Sequence, residues 1–231
     1  MSSSHPIQGL LKKNLPYDPL KDFAGVAQLV VYRSVLAVYP GLAATSVREL
    51  IALANAKPGQ INFVSSGNGS ASHLAGELFK VAARVNLTHV PYKGSSTALV
   101  DLIAGRVQIM FSPLVPVSPH IKAGRLKAIA VTSTTHSRLM PELPTISESG
   151  VPGYEFVSWY GILAPAGTPQ AIIAKLNAAI GEATRSPLVA ERLQAEDMDI
   201  IQRTPHEFDE IRAAMVEKWA KIVKQTGIQG D

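Results

Sequence analysis

Short apolar runs, each closed by a glycine- or serine-containing turn and followed by a longer amphipathic stretch, recur through the first two-thirds of this chain. Ile61–Val64, Leu87–Val90, Val107–Phe111 and Leu126–Val131 are such runs. That alternation is the pattern of an α/β protein, because a β-run of period two must bury one face against a helix of period 3.6. Gly25–Val31 and Ser34–Tyr39 read as two further strands. Helices are predicted at Ser46 to Pro58, after Ser70, at Ser95–Ala104 and, briefly, around His120. The Ser46-Val47-Arg48-Glu49 segment has the spacing of a capping box, and Pro58-Gly59 supplies the stop. Leu74, Leu78 and Val81 are predicted to form the inner face of the helix that follows Ser70.

The segment Met140–Pro152 is rich in Pro, Ser and Gly and reads as a connector, followed by an extended stretch from Tyr154 to Leu163. Helices are predicted at about 169–184 and 188–195, with a strand near Met198–Gln202. Thr204-Pro205-His206-Glu207 forms a second capping box with proline at the first helical position. Phe208, Ile211, Met215, Trp219 and Ile222 then recur at three-to-four spacing, the signature of a core stripe. Pro6–Asn14 reads as the tail of a helix. A length of 231 residues accommodates one large domain or two small ones, and 46% hydrophobic with 17% charged residues is a globular balance.

Two turns carry the chemistry. Ser65-Ser66-Gly67-Asn68-Gly69-Ser70-Ala71-Ser72-His73 joins a strand to a helix. Its glycines let backbone approach a ligand, and its bare helix-start amides suit a carboxylate or phosphate. The competing reading is a plain turn in which Asn68-Gly69 supplies positive φ. Pro91-Tyr92-Lys93-Gly94-Ser95-Ser96 repeats the arrangement, with Lys93 and Ser95 as added donors; alone it also reads as a capped helix beside a surface lysine. In open sheets ligands sit at the carboxyl ends of strands, so two such turns reinforce each other. Ser112, and Thr132 to Thr134, end other strands and either face the same crevice or cap their turns. His73, one turn into its helix, reads as a ligand contact or as a hydrogen-bonded core histidine.

Other functions find less support. There is no cysteine, which excludes disulfides, thiolate catalysis and Cys-ligated zinc. The six histidines form no H-x-H or H-E-x-x-H pattern, so neither a metal nor a cofactor is expected. Ser65, Ser66 or Ser70 with His73 would make a nucleophile and base, but no G-x-S-x-G elbow or orienting acid accompanies them, and no enzyme is expected. The net charge of +4 is scattered, which disfavours nucleic acid. The apolar runs are too short to cross a bilayer. Met1 to Pro6 shows no basic segment and no apolar h-region, so it does not read as a signal peptide.

Taken in order, several stretches resemble the Bug/TctC family, the extracytoplasmic solute receptors of tripartite tricarboxylate transporters. They are Leu15 to Phe23, Ser65 to Ser70, His73 to Phe79, His89 to Gly94, Pro119 to Gly124, Ala130 to Ser133, Leu143 to Ile146 and Leu163 to Pro169. The resemblance implies a periplasmic-binding-protein type II fold, with two α/β domains around a cleft. It places one domain at 1–32 plus 156–231 and an inserted domain at 33–155. It also implies a di- or tricarboxylate, acidic amino acid or aromatic acid as ligand, held by Ser65, Ser66, Gly67, Asn68, Gly69, Ser70, His73, Tyr92, Lys93, Gly94, Ser95 and Ser112. Membrane transporter subunits are the implied partners, the periplasm the implied compartment, and a monomer the implied state. Two departures from the family pattern stand out. The first strand and Pro-Gly-Gly loop that should precede Leu15 are missing, so the first domain is expected to be incomplete. Ser112 also stands where the family usually has Asp. A truncated member with little ligand binding, or a serine-dependent hydrolase, are the alternative expectations.

Overall fold

The computed structural model describes residues 1–230. In chain order its elements are α1 (Gln8–Leu11), β1 (Phe23–Val38), α2 (Val47–Ala56), β2 (Asn62–Ser65), α3 (Ala71–Ala83), β3 (Thr88–Pro91), α4 (Ser95–Ile103), β4 (Ile109–Pro113), α5 (Leu114–Lys122), β5 (Lys127–Val131), β6 (Val157–Pro165), α6 (Gln170–Arg185), α7 (Pro187–Ala195), β7 (Met198–Ile200) and α8 (Pro205–Thr226). The fold is mixed α/β, as the alternating pattern predicts. The chain divides into two compact units, Arg33–Val157 and Met1–Tyr32 with Ser158–Asp231.

In the Arg33–Val157 unit the strand order is β3-β2-β4-β1-β5. β3, β2 and β4 run parallel, with Ser65 opposite Pro91 and Val64 opposite Met110. β1 is antiparallel to β4 and to β5. Side chains alternate across this sheet, and both faces are covered. Val35, Ala37, Val64 and Met110 pack with Ala98 and Leu102 of α4 and with Leu114 and Val117 of α5. On the other face Phe111 meets Phe79 of α3, whose ring also meets Tyr154 edge-on. Fully burying a side chain such as Phe79 contributes about 1.5–3 kcal/mol. The Tyr154 hydroxyl donates to the Ala75 carbonyl at 3.0 Å, so α3 is covered on two sides. Its buried set is therefore broader than the predicted stripe. His73, Leu74, Ala75, Gly76, Glu77 and Phe79 are buried, while Leu78 and Val81 are only half-buried.

Two local expectations are corrected. Gly25–Val31 and Ser34–Tyr39 are one 16-residue strand, β1, because Tyr32 and Arg33 are extended and buried where a polar residue suggested a break. At α2 the capping box is one-sided. Ser46 accepts from the Glu49 amide, but the Glu49 carboxylate reaches back to Thr45, taking its amide at 2.6 Å.

In the other unit β1 pairs with β6 and β7, Val30 lying opposite Ile200. Ser2 forms an isolated antiparallel bridge to Tyr160 of β6. The α8 capping box is complete: Thr204 accepts from the Glu207 amide and Glu207 from the Thr204 amide. Phe208, Trp219 and Ile222 are buried as the stripe predicts, while Ile211 and Met215 are half-buried. Arg212, absent from that stripe, is buried as well. Its guanidinium pairs with Asp209 and donates to the carbonyls of Pro19 and Phe23, closing the turn that leads into β1.

Candidate functional site

Because β3, β2 and β4 are parallel neighbours, the turns that follow them leave the same edge of the sheet. The Ser65–Ser70 turn and the Tyr92–Ser95 turn touch there. The Tyr92 amide donates to the Ser65 carbonyl at 3.1 Å. Gly67, at φ +130°, lies so near the Tyr92 carbonyl that a Cβ would approach it to 3.3 Å. Gly69 also sits at positive φ, +72°. Side chains other than glycine rarely adopt these values, so the first turn depends on both glycines.

Hydroxyl groups gather at the start of α3. Ser70 is its N-cap and accepts from the His73 amide at 3.3 Å. Ser72 Oγ lies 3.1 Å from Ser70 Oγ and 3.4 Å from Ser66 Oγ, and it accepts the Ser66 amide at 3.1 Å. Ser72 was not among the predicted contacts. Its signal in the sequence is the Ser70-Ala71-Ser72 spacing, which places a second hydroxyl in the first helical turn. α4 begins differently, at Gly94 with φ +120° and no side-chain cap, so its first amides and the exposed Lys93 and Ser95 face outward. Both helix starts carry the positive end of a helix dipole toward this edge.

The predicted contacts divide into two sets. Ser66, Gly67, Asn68, Gly69, Ser70, Lys93, Gly94 and Ser95 lie in the two turns at the sheet edge. Ser65, His73, Tyr92 and Ser112 have side-chain polar atoms engaged beneath or beside it. Ser65 is fully buried, with Oγ 2.7 Å from His89 Nε2 and accepting the Gly67 amide at 3.2 Å. His73 is buried and its Nδ1 accepts the Gly69 amide at 3.0 Å, the hydrogen-bonded core arrangement. Tyr92 donates to Asp101 on α4 at 2.6 Å, which pushes the phenol up. The same bond, with Arg106, holds the Asp101 carboxyl below its ordinary value. Ser112 is buried and donates to the Pro113 carbonyl. Thr132, at the end of β5, bonds with the Ser34 backbone and also borders the same edge.

Among the described residues no cluster of three or more His, Asp or Glu side chains is placed to hold a metal ion, and no helix is long and apolar enough to cross a membrane. A groove of about 640 Å³ lies in the other unit, between α1 and the Leu15–Asp22 segment, and is open to solvent.

A family model described as tripartite tricarboxylate transporter family receptor matches residues 2–228. BugT of Bordetella pertussis is 36% identical over 98% of this chain and 70% of its own length. A UPF0065 protein from the tcbD-tcbE intergenic region of Pseudomonas sp. is 36% identical over 90% of this chain and 62% of its own. The chain thus spans about two-thirds of the length of these relatives. Among solved structures, Rpa4515 of R. palustris with adipate superposes with a TM-score of 0.90 at 33% identity, covering 99% of this chain and 77% of that one.

Proposed function

The chain belongs to the tripartite tricarboxylate transporter family of receptors, and we propose that it binds a small carboxylate, without turning it over, at the sheet edge formed by the β2–α3 and β3–α4 turns. The observation that carries this reading is the meeting of two helix starts at adjacent parallel strand ends, one ringed by Ser66, Ser70 and Ser72 and the other uncapped beside Lys93. A carboxylate is the ligand such donors complement. Each helix start contributes about 0.3–1 kcal/mol toward an anion, and up to about 2 when partly buried. Hydrogen bonds to a charged group add about 1.5–3 kcal/mol each. A micromolar site needs roughly 8 kcal/mol, so the serine hydroxyls and Lys93 must contribute beside the helix dipoles. The adipate bound by the R. palustris relative supports a dicarboxylate as the ligand class. By the same relationship we read residues 33–155 as the domain that carries these turns, the transporter's membrane subunits as the partners, and the periplasm as the place of work.

The Ser65–His89 contact favours one other reading, hydrolysis by a serine nucleophile. Ser65 is fully buried and its hydroxyl is held by the Gly67 backbone, which leaves no approach for a substrate carbonyl. Isothermal titration with adipate, malate, citrate and acetate separates the readings. Saturable binding of at least one acid, recovered chemically unchanged, is the expected result. No binding of any of them would sink the receptor reading, and ester hydrolysis lost in Ser65→Ala would replace it with the hydrolase.

A further inference from the structure

The turn that presents Gly67 to Ser70 is held from below by two stacked histidines. His73 on α3 and His89 on β3 lie face to face, ring centroids 3.8 Å apart and planes within 9°. His73 Nδ1 accepts the Gly69 amide, and His89 Nε2 meets the Ser65 hydroxyl that in turn accepts the Gly67 amide. Each positive-φ glycine of the turn is therefore tied, directly or through Ser65, to one imidazole. Since Nδ1 of His73 is an acceptor, the ring is neutral and carries its proton on Nε2. That nitrogen faces Glu77 at 3.8 Å, and Glu77 is paired with Lys80 at 2.8 Å. The Phe63 ring of β2 stacks on His89 and, at longer range, on His73, with Lys80 Nζ above it. Glu77, Lys80 and His89 are charged or titratable groups placed around His73.

We propose that His73 and His89 form a proton-sensitive clasp that positions the carboxylate-binding turn and opens on acidification, an inference that rests on the binding reading above. A second proton on His73 must go to Nδ1, which turns the acceptor of the Gly69 amide into a donor. Two N–H groups then face each other across 3.0 Å, and Gly69 must turn away. The amides and hydroxyls at the start of α3 lose their convergence and the ligand is released. Two cationic imidazoles at 3.8 Å repel, so a proton on His89 keeps His73 neutral, and removing the charge of His89 lets His73 protonate at higher pH.

Two measurements on the 231-residue chain test this, over the pH range in which far-UV circular dichroism is constant. In the ligand-free protein, the ¹⁵N resonances of the His73 ring and the Gly69 amide are followed from pH 8 to pH 5. They are expected to move with one midpoint, which His89→Gln shifts to higher pH and which the Gly69 amide loses in His73→Asn. By calorimetry, adipate affinity is expected to fall by up to about tenfold per pH unit below that midpoint. His73→Asn, whose Oδ1 accepts but does not titrate, is expected to flatten the profile, and His73→Leu to weaken binding at every pH. A Gly69 amide that ignores the His73 titration overturns the clasp, as does a native pH slope retained in His73→Asn or an adipate affinity of the native chain that does not fall with pH. Absence of binding of adipate, malate, citrate and acetate alike in a chain whose Gly69 amide does track His73 leaves the clasp standing and overturns the carboxylate assignment instead.

Discussion

Gly76 on α3 lies against the Phe63 ring on β2 so closely that a methyl group at the glycine would come within 2.2 Å of Cε2. Phe63 is fully buried and stacks on His89, so the ring has no free direction in which to retreat. Gly76→Ala is therefore expected to destabilise the chain by about 1–3 kcal/mol through overpacking, despite the better helix propensity of alanine. Urea unfolding checks the magnitude, and an unchanged midpoint would mean that Phe63 has room the packing does not reveal.

Arg212 is the buried cation of the other unit. Replacing it with alanine leaves the carbonyls of Pro19 and Phe23 without their donor and Asp209 without its cation, though still accepting the Gly25 amide. Removing one member of a buried pair costs about 3–5 kcal/mol, and because the Asp209 side chain is 44% exposed the lower end applies. Arg212→Ala is expected to lower stability by about 3 kcal/mol. Arg212→Lys should recover only part of this, since one ammonium cannot serve three acceptors spread across a fork.

His5 makes stability depend on pH with a definite sign. Its buried ring stacks on Tyr17 and meets Phe23 edge-on. Burial lowers its pKa, assisted by the charges of Arg212 and the α-amino group. The unfolded chain then binds this proton more readily than the folded one. Above the ordinary value of 6.5 the ring is neutral in both states and adds no pH dependence, and stability falls as pH drops below it toward the lowered folded value. A melting temperature that declines from pH 7 to pH 5, and declines less in His5→Phe, is the expected result. Equal declines would assign the effect to other groups.

His136 works in the opposite direction. The Pro141 carbonyl and then Glu148 raise its pKa. Its contribution is fully present below 6.5 and is lost as pH rises through the raised folded value. Both partners are exposed, so His136→Gln should change the slope of melting temperature against pH above 6.5 by little.

Ser72→Ala tests the hydroxyl cluster. It removes the acceptor of the Ser66 amide and a neighbour of Ser70 Oγ, while the Ser70 acceptor of the His73 amide stays in place. One lost hydrogen bond of this kind is worth about 0.5–1.5 kcal/mol, so adipate affinity should fall severalfold while overall stability changes modestly. An unchanged affinity would place the ligand away from α3.

The α/β class, the order of most elements and the two strand-to-helix turns were legible in the sequence, because each rests on local chemistry. Apolar period sets strand or helix, Ser46, Ser70 and Thr204 cap their helices within one turn, and Gly67, Gly69 and Gly94 take up backbone angles that other residues avoid. What the tertiary structure decided was partnership over distance. Nothing local joins Ser65 to His89, 24 residues on, or stacks His89 on His73. No periodicity rule separates a buried arginine from an exposed one when its acceptors, the carbonyls of Pro19 and Phe23, lie at the far end of the chain. The same limit hid the continuity of β1. Arg33 reads as a break because charge belongs in water, and it is strand pairing with β4, β5 and β7, drawn from distant sequence, that holds the whole segment extended and covered.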